Sequence, residues 1–245
     1  MAQSAKKQQP EIKEVTRETS SIEEHANVLF KPNEGPQTEF LAASEREVLY
    51  GGSAGGGKSY AMLADPLRYM GHPQFSGLLL RHTTEELREL IFKSQELYPK
   101  IWPGIKWSER KMQWTAPSGA RLWMSYLDRD EDVLRYQGLA FSWIGFDELT
   151  QWATPYAWNY MRSRLRSTAP DLPIFMRATT NPGGRGHGWV KKMFIDPAPY
   201  NRAFDATDIE TGEALKYPAG HSKAGKPLFK RRFIPARLSD NPYLA

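Results

Sequence analysis

Large apolar residues are sparse over residues 1 to about 30, where Lys, Glu, Gln, Ser and Thr dominate. Such a stretch buries too little surface to offset chain entropy, and the expectation is a mobile arm. From Phe40 onward short apolar runs alternate with helical segments, the order of a mostly parallel sheet with crossover helices, so residues 31–245 read as one α/β domain. Arg46 to Tyr50 is the first strand, and a glycine-rich turn leads from it into a helix over about Lys58 to Met70. Leu78 to Arg81 is a second strand. Thr83-Thr-Glu-Glu86 then has the form of a capping box and opens a helix to about Leu97. Lys111 to Thr115 and Ala120 to Leu127, joined through Pro117-Ser-Gly119, predict a hairpin inserted into the layered core. Ser142 to Phe146 and Pro173 to Thr179 read as buried strands around a helix from Pro155 to Arg166. Beyond Asn181 the expectation is loops, a short helix near Trp189 to Phe194 and a last strand at Arg232 to Ile234.

Composition narrows the chemistry. Of 245 residues, 40% are hydrophobic and 25% charged, the balance of a folded globular chain. There is no cysteine, which excludes disulfides, thiolate metal sites and a cysteine nucleophile. The N-terminus has no signal-peptide pattern and no apolar run approaches a membrane span, so neither secretion nor a membrane partner is expected, and an intracellular location is.

Gly52-Ser53-Ala54-Gly55-Gly56-Gly57-Lys58-Ser59 satisfies the pattern of a glycine, four residues, then Gly-Lys-Ser, between a strand and a helix. Glycines let successive N–H groups curl around a phosphate, Lys58 would reach the terminal phosphates and Ser59 would hold Mg²⁺. The plain alternative is a flexible turn before a helix. Asp147 and Glu148 end an apolar strand. Beside a phosphate loop such a pair divides its labour: Asp147 binds Mg²⁺ through water, and Glu148 orients and deprotonates the attacking water. Alone, the pair would read as a helix N-cap and first-turn acid. Thr179, Thr180 and Asn181 close the next strand before Pro182, as a phosphate sensor or as ordinary turn chemistry.

Gln37, the Gly52–Ser59 loop, Asp147-Glu148, Thr179-Thr180-Asn181-Pro182 and the closing Arg232 to Leu244 together resemble the ATPase half of tailed-phage terminase large subunits, over about residues 37 to 245. That resemblance implies a P-loop NTPase fold of the additional-strand, catalytic-glutamate class. It implies ATP and Mg²⁺ as cofactors and hydrolysis that drives double-stranded DNA into a procapsid. It implies a homo-oligomeric ring on the portal, a small terminase subunit as partner, and residence in the host cytoplasm. By it Gln37 would contact adenine, residues Thr179 to Asn181 would couple hydrolysis to DNA movement, and Arg135 is the candidate trans-acting arginine, with Arg129 and Arg81 as alternates. The family's nuclease half is expected beyond residue 245, so no nuclease activity is expected of this chain.

From Arg185 to Arg237 eleven Lys and Arg stand against five Asp and Glu, in a chain of net charge +5. Clustered cations suit contact with a DNA backbone, and Arg162 and Arg166 would extend the track or form a solvated helix face. Trp123 and Trp143 read as core. Two other functions remain open: a nucleotide-dependent DNA-binding or assembly module with little hydrolysis, and a nucleotide or small-molecule kinase.

Overall fold

The computed structural model describes residues 30–240; the arm expected at 1–30 lies outside them except for Phe30, as do the last five residues. Among the described residues nine strands, numbered in chain order, form one sheet in the order β3-β4-β5-β2-β6-β7-β1-β9-β8. Six neighbours run parallel: β5 (Arg121–Tyr126), β2 (Ser76–Arg81), β6 (Trp143–Phe146), β7 (Phe175–Thr180), β1 (Glu47–Gly52) and β9 (Lys230–Ala236). Antiparallel strands extend both edges: β4 (Gln113–Thr115) and β3 (Lys106–Ser108) on one side, β8 (Ala203–Asp205) on the other. The expected hairpin forms from β4 and β5. Its second strand is no insert, however: β5 pairs with β2 in full parallel register and belongs to the central sheet.

Helices cover both faces, which is why the central strands read as unbroken apolar runs. Side chains alternate between two cores. Val48, Tyr50 and Leu79 pack under α1 (Pro36–Ala42), α2 (Lys58–Ala64) and α3 (Thr84–Ile101), whereas Leu49, Leu78 and Leu80 pack under α4 (Tyr156–Arg162) and α5 (His187–Val190). Trp143 is fully buried and Trp123 packs at the edge of the second core, as expected.

Helix ends follow local chemistry. α2 gives way to a 3₁₀ turn at Asp65–Tyr69, because Pro66 supplies no backbone donor. Thr83 caps α3 by accepting from the Glu86 N–H at 3.4 Å, but the Glu86 carboxylate accepts from Gln151 Nε2 at 2.6 Å, so the reciprocal half of the box is not used. α3 also runs past Pro99, where the carbonyl left without a donor belongs to exposed Gln95. Tyr98 holds this last turn down through its hydroxyl bond to Leu63 O at 2.9 Å. Among the described residues no helix is long and apolar enough to cross a membrane.

Candidate nucleotide site

Parallel strands present their C-terminal ends on one edge, where open α/β sheets bind ligands. Here β6, β7 and β1 are consecutive, with Phe146 opposite Ala178 and Gly51 opposite Thr180. This register brings three predicted motifs to one rim. The phosphate loop leaves β1, Asp147-Glu148 leaves β6, and Thr179 to Asn181 lies between them.

The loop requires its glycines. Gly52 has φ +138° and Gly57, the residue before α2, has φ +73°, conformations that side chains rarely adopt. A Cβ on Gly52 would lie 2.0 Å from the Ala236 carbonyl oxygen, and the Ser53 N–H donates to that oxygen at 3.0 Å. Other bonds fix the loop's carbonyls: Tyr50 Oη donates to Gly56 O at 2.8 Å and Gln37 Nε2 to Gly57 O at 2.9 Å. Lys58 Nζ reaches Ser53 O at 2.5 Å and Gly52 O at 3.3 Å. Burial pushes the Lys58 pKa below its usual value, and Glu148 and Asp147 oppose that shift.

Glu148 occupies the left-handed region at φ +62°, a strained conformation for a residue with a side chain. Its N–H donates to Thr179 Oγ1 at 3.1 Å, while the Thr179 hydroxyl donates to Asp147 Oδ1. Asn181 grips the carboxylate from the other side, N–H to Oε2 at 3.1 Å and Nδ2 to Oε1 at 2.7 Å. Burial, then the neighbouring Asp147 charge, raises the Glu148 pKa above the ordinary carboxylate range. Thr180 points elsewhere and bonds Thr150 Oγ1 at 2.8 Å.

A cavity of about 320 Å³ is lined by Ala54, Gly55, Gly57, Lys58, Ser59, Tyr60, Lys93, Glu148 and Asn181. Lys93 was not legible in the sequence. It sits four residues after Glu89 and pairs with it at 2.6 Å, the pattern of a solvated helix face, and only the packing of α3 beside α2 turns it toward the loop.

Asp147 is fully buried. Its Oδ2 is ion-paired with Arg81 Nε at 3.0 Å without an aligned hydrogen bond. No cluster of three or more His, Cys, Asp or Glu suited to a metal occurs among the described residues. A site made of one buried carboxylate, one loop hydroxyl and nucleotide phosphates is nevertheless what Mg²⁺ takes, and Asp147 with Ser59 fits that donor set. Arg81 is buried against Asp147 and is not available to a neighbouring molecule.

Three further expectations can be placed on the structure. The Gln37 amide is committed to the loop and to the Asn33 N–H at 2.5 Å, and a cavity of about 530 Å³ lies over residues 31–36 and 239–240. Arg135 is exposed on the 3₁₀ turn Asp130–Tyr136, pairs with Asp132 at 3.2 Å and lies over the Tyr126 ring. That turn follows β5, four strands from β1, or about 19 Å at the usual spacing, so Arg135 is not brought to the phosphate loop of its own chain. The basic segment from Arg185 to Arg237 is not one continuous patch. Arg231 is buried on Glu47 at 2.7 Å, Arg232 bonds Asn201 Oδ1, and Lys191 and Lys230 pair with Asp196 and Asp205. Arg162 likewise bonds the buried Glu47 and belongs to neither a DNA track nor a solvated face.

The family model described as phage terminase large subunit matches residues 44–217. Among solved structures, the large terminase of a thermophilic bacteriophage in complex with ADP is similar at 14% identity and TM-score 0.57, over 88% of this chain and 48% of that one. A mutant form of the large terminase ATPase domain of Thermus phage P74-26 is similar at 11% identity and TM-score 0.55, over 86% and 84%. At these identities the likeness is one of fold, and the chain spans about half the length of the ADP-bound terminase. No curated protein matches the chain. The matched span, over half of the sequence, makes this chain a member of the phage terminase large subunit family.

Proposed function

We propose that this chain binds ATP on the Gly52–Ser59 loop and hydrolyses it, as the motor part of an assembly that moves double-stranded DNA into a procapsid. The observation that carries the reading is the shared cavity: the loop, Lys58, Ser59 and Glu148 face one space. The triphosphate lies along the loop N–H groups, and Lys58 turns from Gly52 O and Ser53 O to the terminal phosphates. The base occupies the cavity over residues 31–36, with Gln37 bracing the loop beneath it. Ser59 and, through water, Asp147 would hold Mg²⁺, which would supply positive charge against the phosphates.

Glu148, aimed by Asn181 and Thr179, takes a proton from the attacking water. A carboxylate presented to water in this way favours hydrolysis over a kinase, which passes phosphate to another acceptor. Arg135, remote from its own loop, serves the neighbouring chain's nucleotide in a ring on the portal. Thr179 to Asn181 senses loss of the terminal phosphate. Double-stranded DNA and a small terminase subunit are the partners, and the host cytoplasm is the compartment.

Equilibrium binding of ATP to the wild-type chain and to Lys58→Ala tests the site. The expected result is at least a tenfold loss of affinity in the variant. Equal affinity would remove the loop from nucleotide binding.

A further inference from the structure

Between β8 and β9 the chain leaves the sheet, and no Asp or Glu occurs from Ala214 to Ala236. The acids of this excursion, Asp208, Glu210 and Glu213, sit in the separate turn closed by the Thr207–Ala214 bridge. Beyond it, the bridge from Lys216 to Pro227 closes a second loop on which Lys216, Lys223 and Lys226 are all exposed. Internal bonds give this loop a definite shape. Tyr217 and Lys226 pair through Tyr217 N–H to Lys226 O at 3.0 Å, and Gly225 N–H returns to Tyr217 O at 3.1 Å. The His221 ring stacks on Tyr217 at 4.5 Å, and Lys223 Nζ lies 5.8 Å from the same ring. Among the described residues no ion pair to an acid holds these three lysines, unlike Lys191, Lys230 and Arg231 around them.

The root of the loop is anchored. Arg231 donates to Glu47 at 2.7 Å and to Thr207 O at 2.7 Å, and Arg46, Arg162 and Arg231 all lie over the Phe229 ring. From that root β9 runs beside β1 to Ala236, whose carbonyl accepts from Ser53 in the phosphate loop. One strand, about 20 Å long at the usual rise, therefore spans from the basic loop to the nucleotide site.

We infer that the loop Lys216–Lys226 is a docking surface for the phosphate backbone of duplex DNA, an inference that rests on the DNA-motor reading for its biological sense. Three cations on a shaped loop, free of acidic partners and with little base-reading chemistry, match a polyanion contacted without regard to sequence. The loop is also tied by β9 to the element that would hold ATP.

The test measures binding of a fluorescent 30-base-pair duplex by anisotropy across a salt series. It compares the wild-type chain, the triple variant Lys216→Ala/Lys223→Ala/Lys226→Ala, and a matched control at the opposite sheet edge, Lys100→Ala/Lys106→Ala/Lys111→Ala. All six lysines are exposed, so the fold is expected to survive, and thermal melts check it. The expected result is at least a tenfold loss at 0.1 M salt for the loop variant. The slope of log K against log salt should fall by about two to three, since each neutralised phosphate contributes about 0.9. The control should stay within about threefold of wild type, with the same pattern on a second, unrelated duplex. Wild-type affinity in the loop variant, an equal loss in the control, or no duplex binding by the wild-type chain would overturn the inference. ATP affinity measured on the same samples keeps the two readings apart: lost DNA binding with intact ATP binding supports the loop whatever becomes of hydrolysis.

Discussion

Asn181 holds Glu148 by two hydrogen bonds, backbone N–H to Oε2 at 3.1 Å and side-chain amide to Oε1 at 2.7 Å. The second of these is the removable one. Asn181→Ala leaves the backbone bond and lets the carboxylate swing, and a misplacement of about 1 Å at a reacting group costs up to about 100-fold in rate. The expected outcome in steady-state kinetics is a kcat lowered at least about tenfold with KM for ATP within threefold. A raised KM at unchanged kcat would make Asn181 a ligand of the nucleotide rather than a support of Glu148.

Gly52→Ala should be severe for two separate reasons. The new Cβ would meet the Ala236 carbonyl oxygen at 2.0 Å, and φ +138° is closed to a side chain. The loop must then part from β9. A loss of at least about 2 kcal/mol in chemical denaturation is expected, with weakened ATP binding. Gly138→Ala, with open space around its Cβ, meets only the backbone strain of φ +83° and should cost less.

Acid stability should report on Glu47. Burial alone would raise its pKa, but the Arg162 and Arg231 guanidiniums outweigh burial and hold it below the ordinary carboxylate value. A depressed carboxylate stabilises the fold at pH above its unfolded pKa, and that contribution is lost as pH falls through the lower folded value. Glu47→Gln leaves the buried Arg231 and the partly exposed Arg162 without their carboxylate and should cost about 3 kcal/mol at pH 7. The gap between variant and wild type should narrow as pH falls below the unfolded carboxylate value of 4.5 toward the lower folded one. A gap independent of pH in thermal melts would contradict this.

What the sequence made legible was local. Gly52 to Ser59, Asp147-Glu148 and Thr179 to Asn181 each sit at the end of an apolar strand, and parallel pairing carries all such ends to one edge. Strands of three residues, β3 and β8, carry too little pattern to separate from loop. The proline-bearing segments at Pro66 and Pro99 were harder in opposite directions: one tightened its helix early, the other was tolerated in a last turn fixed by Tyr98. Charge was the least legible. Arg162 and Arg231 count as surface cations in any sequence tally, yet a single carboxylate 115 and 184 positions away, Glu47, pairs with both and holds Arg231 in the interior. Lys93 and the Arg81–Asp147 pair depend in the same way on which elements end up side by side.

Steady-state ATP hydrolysis with Mg²⁺ by the wild-type chain beside Glu148→Gln, with ATP affinity measured on both, decides whether Glu148 is the hydrolytic base. Glu148 faces the same cavity as the phosphate loop, so turnover is expected of wild type, and in the variant unchanged binding with turnover lowered at least about 100-fold. Turnover by Glu148→Gln at the wild-type rate would contradict that role.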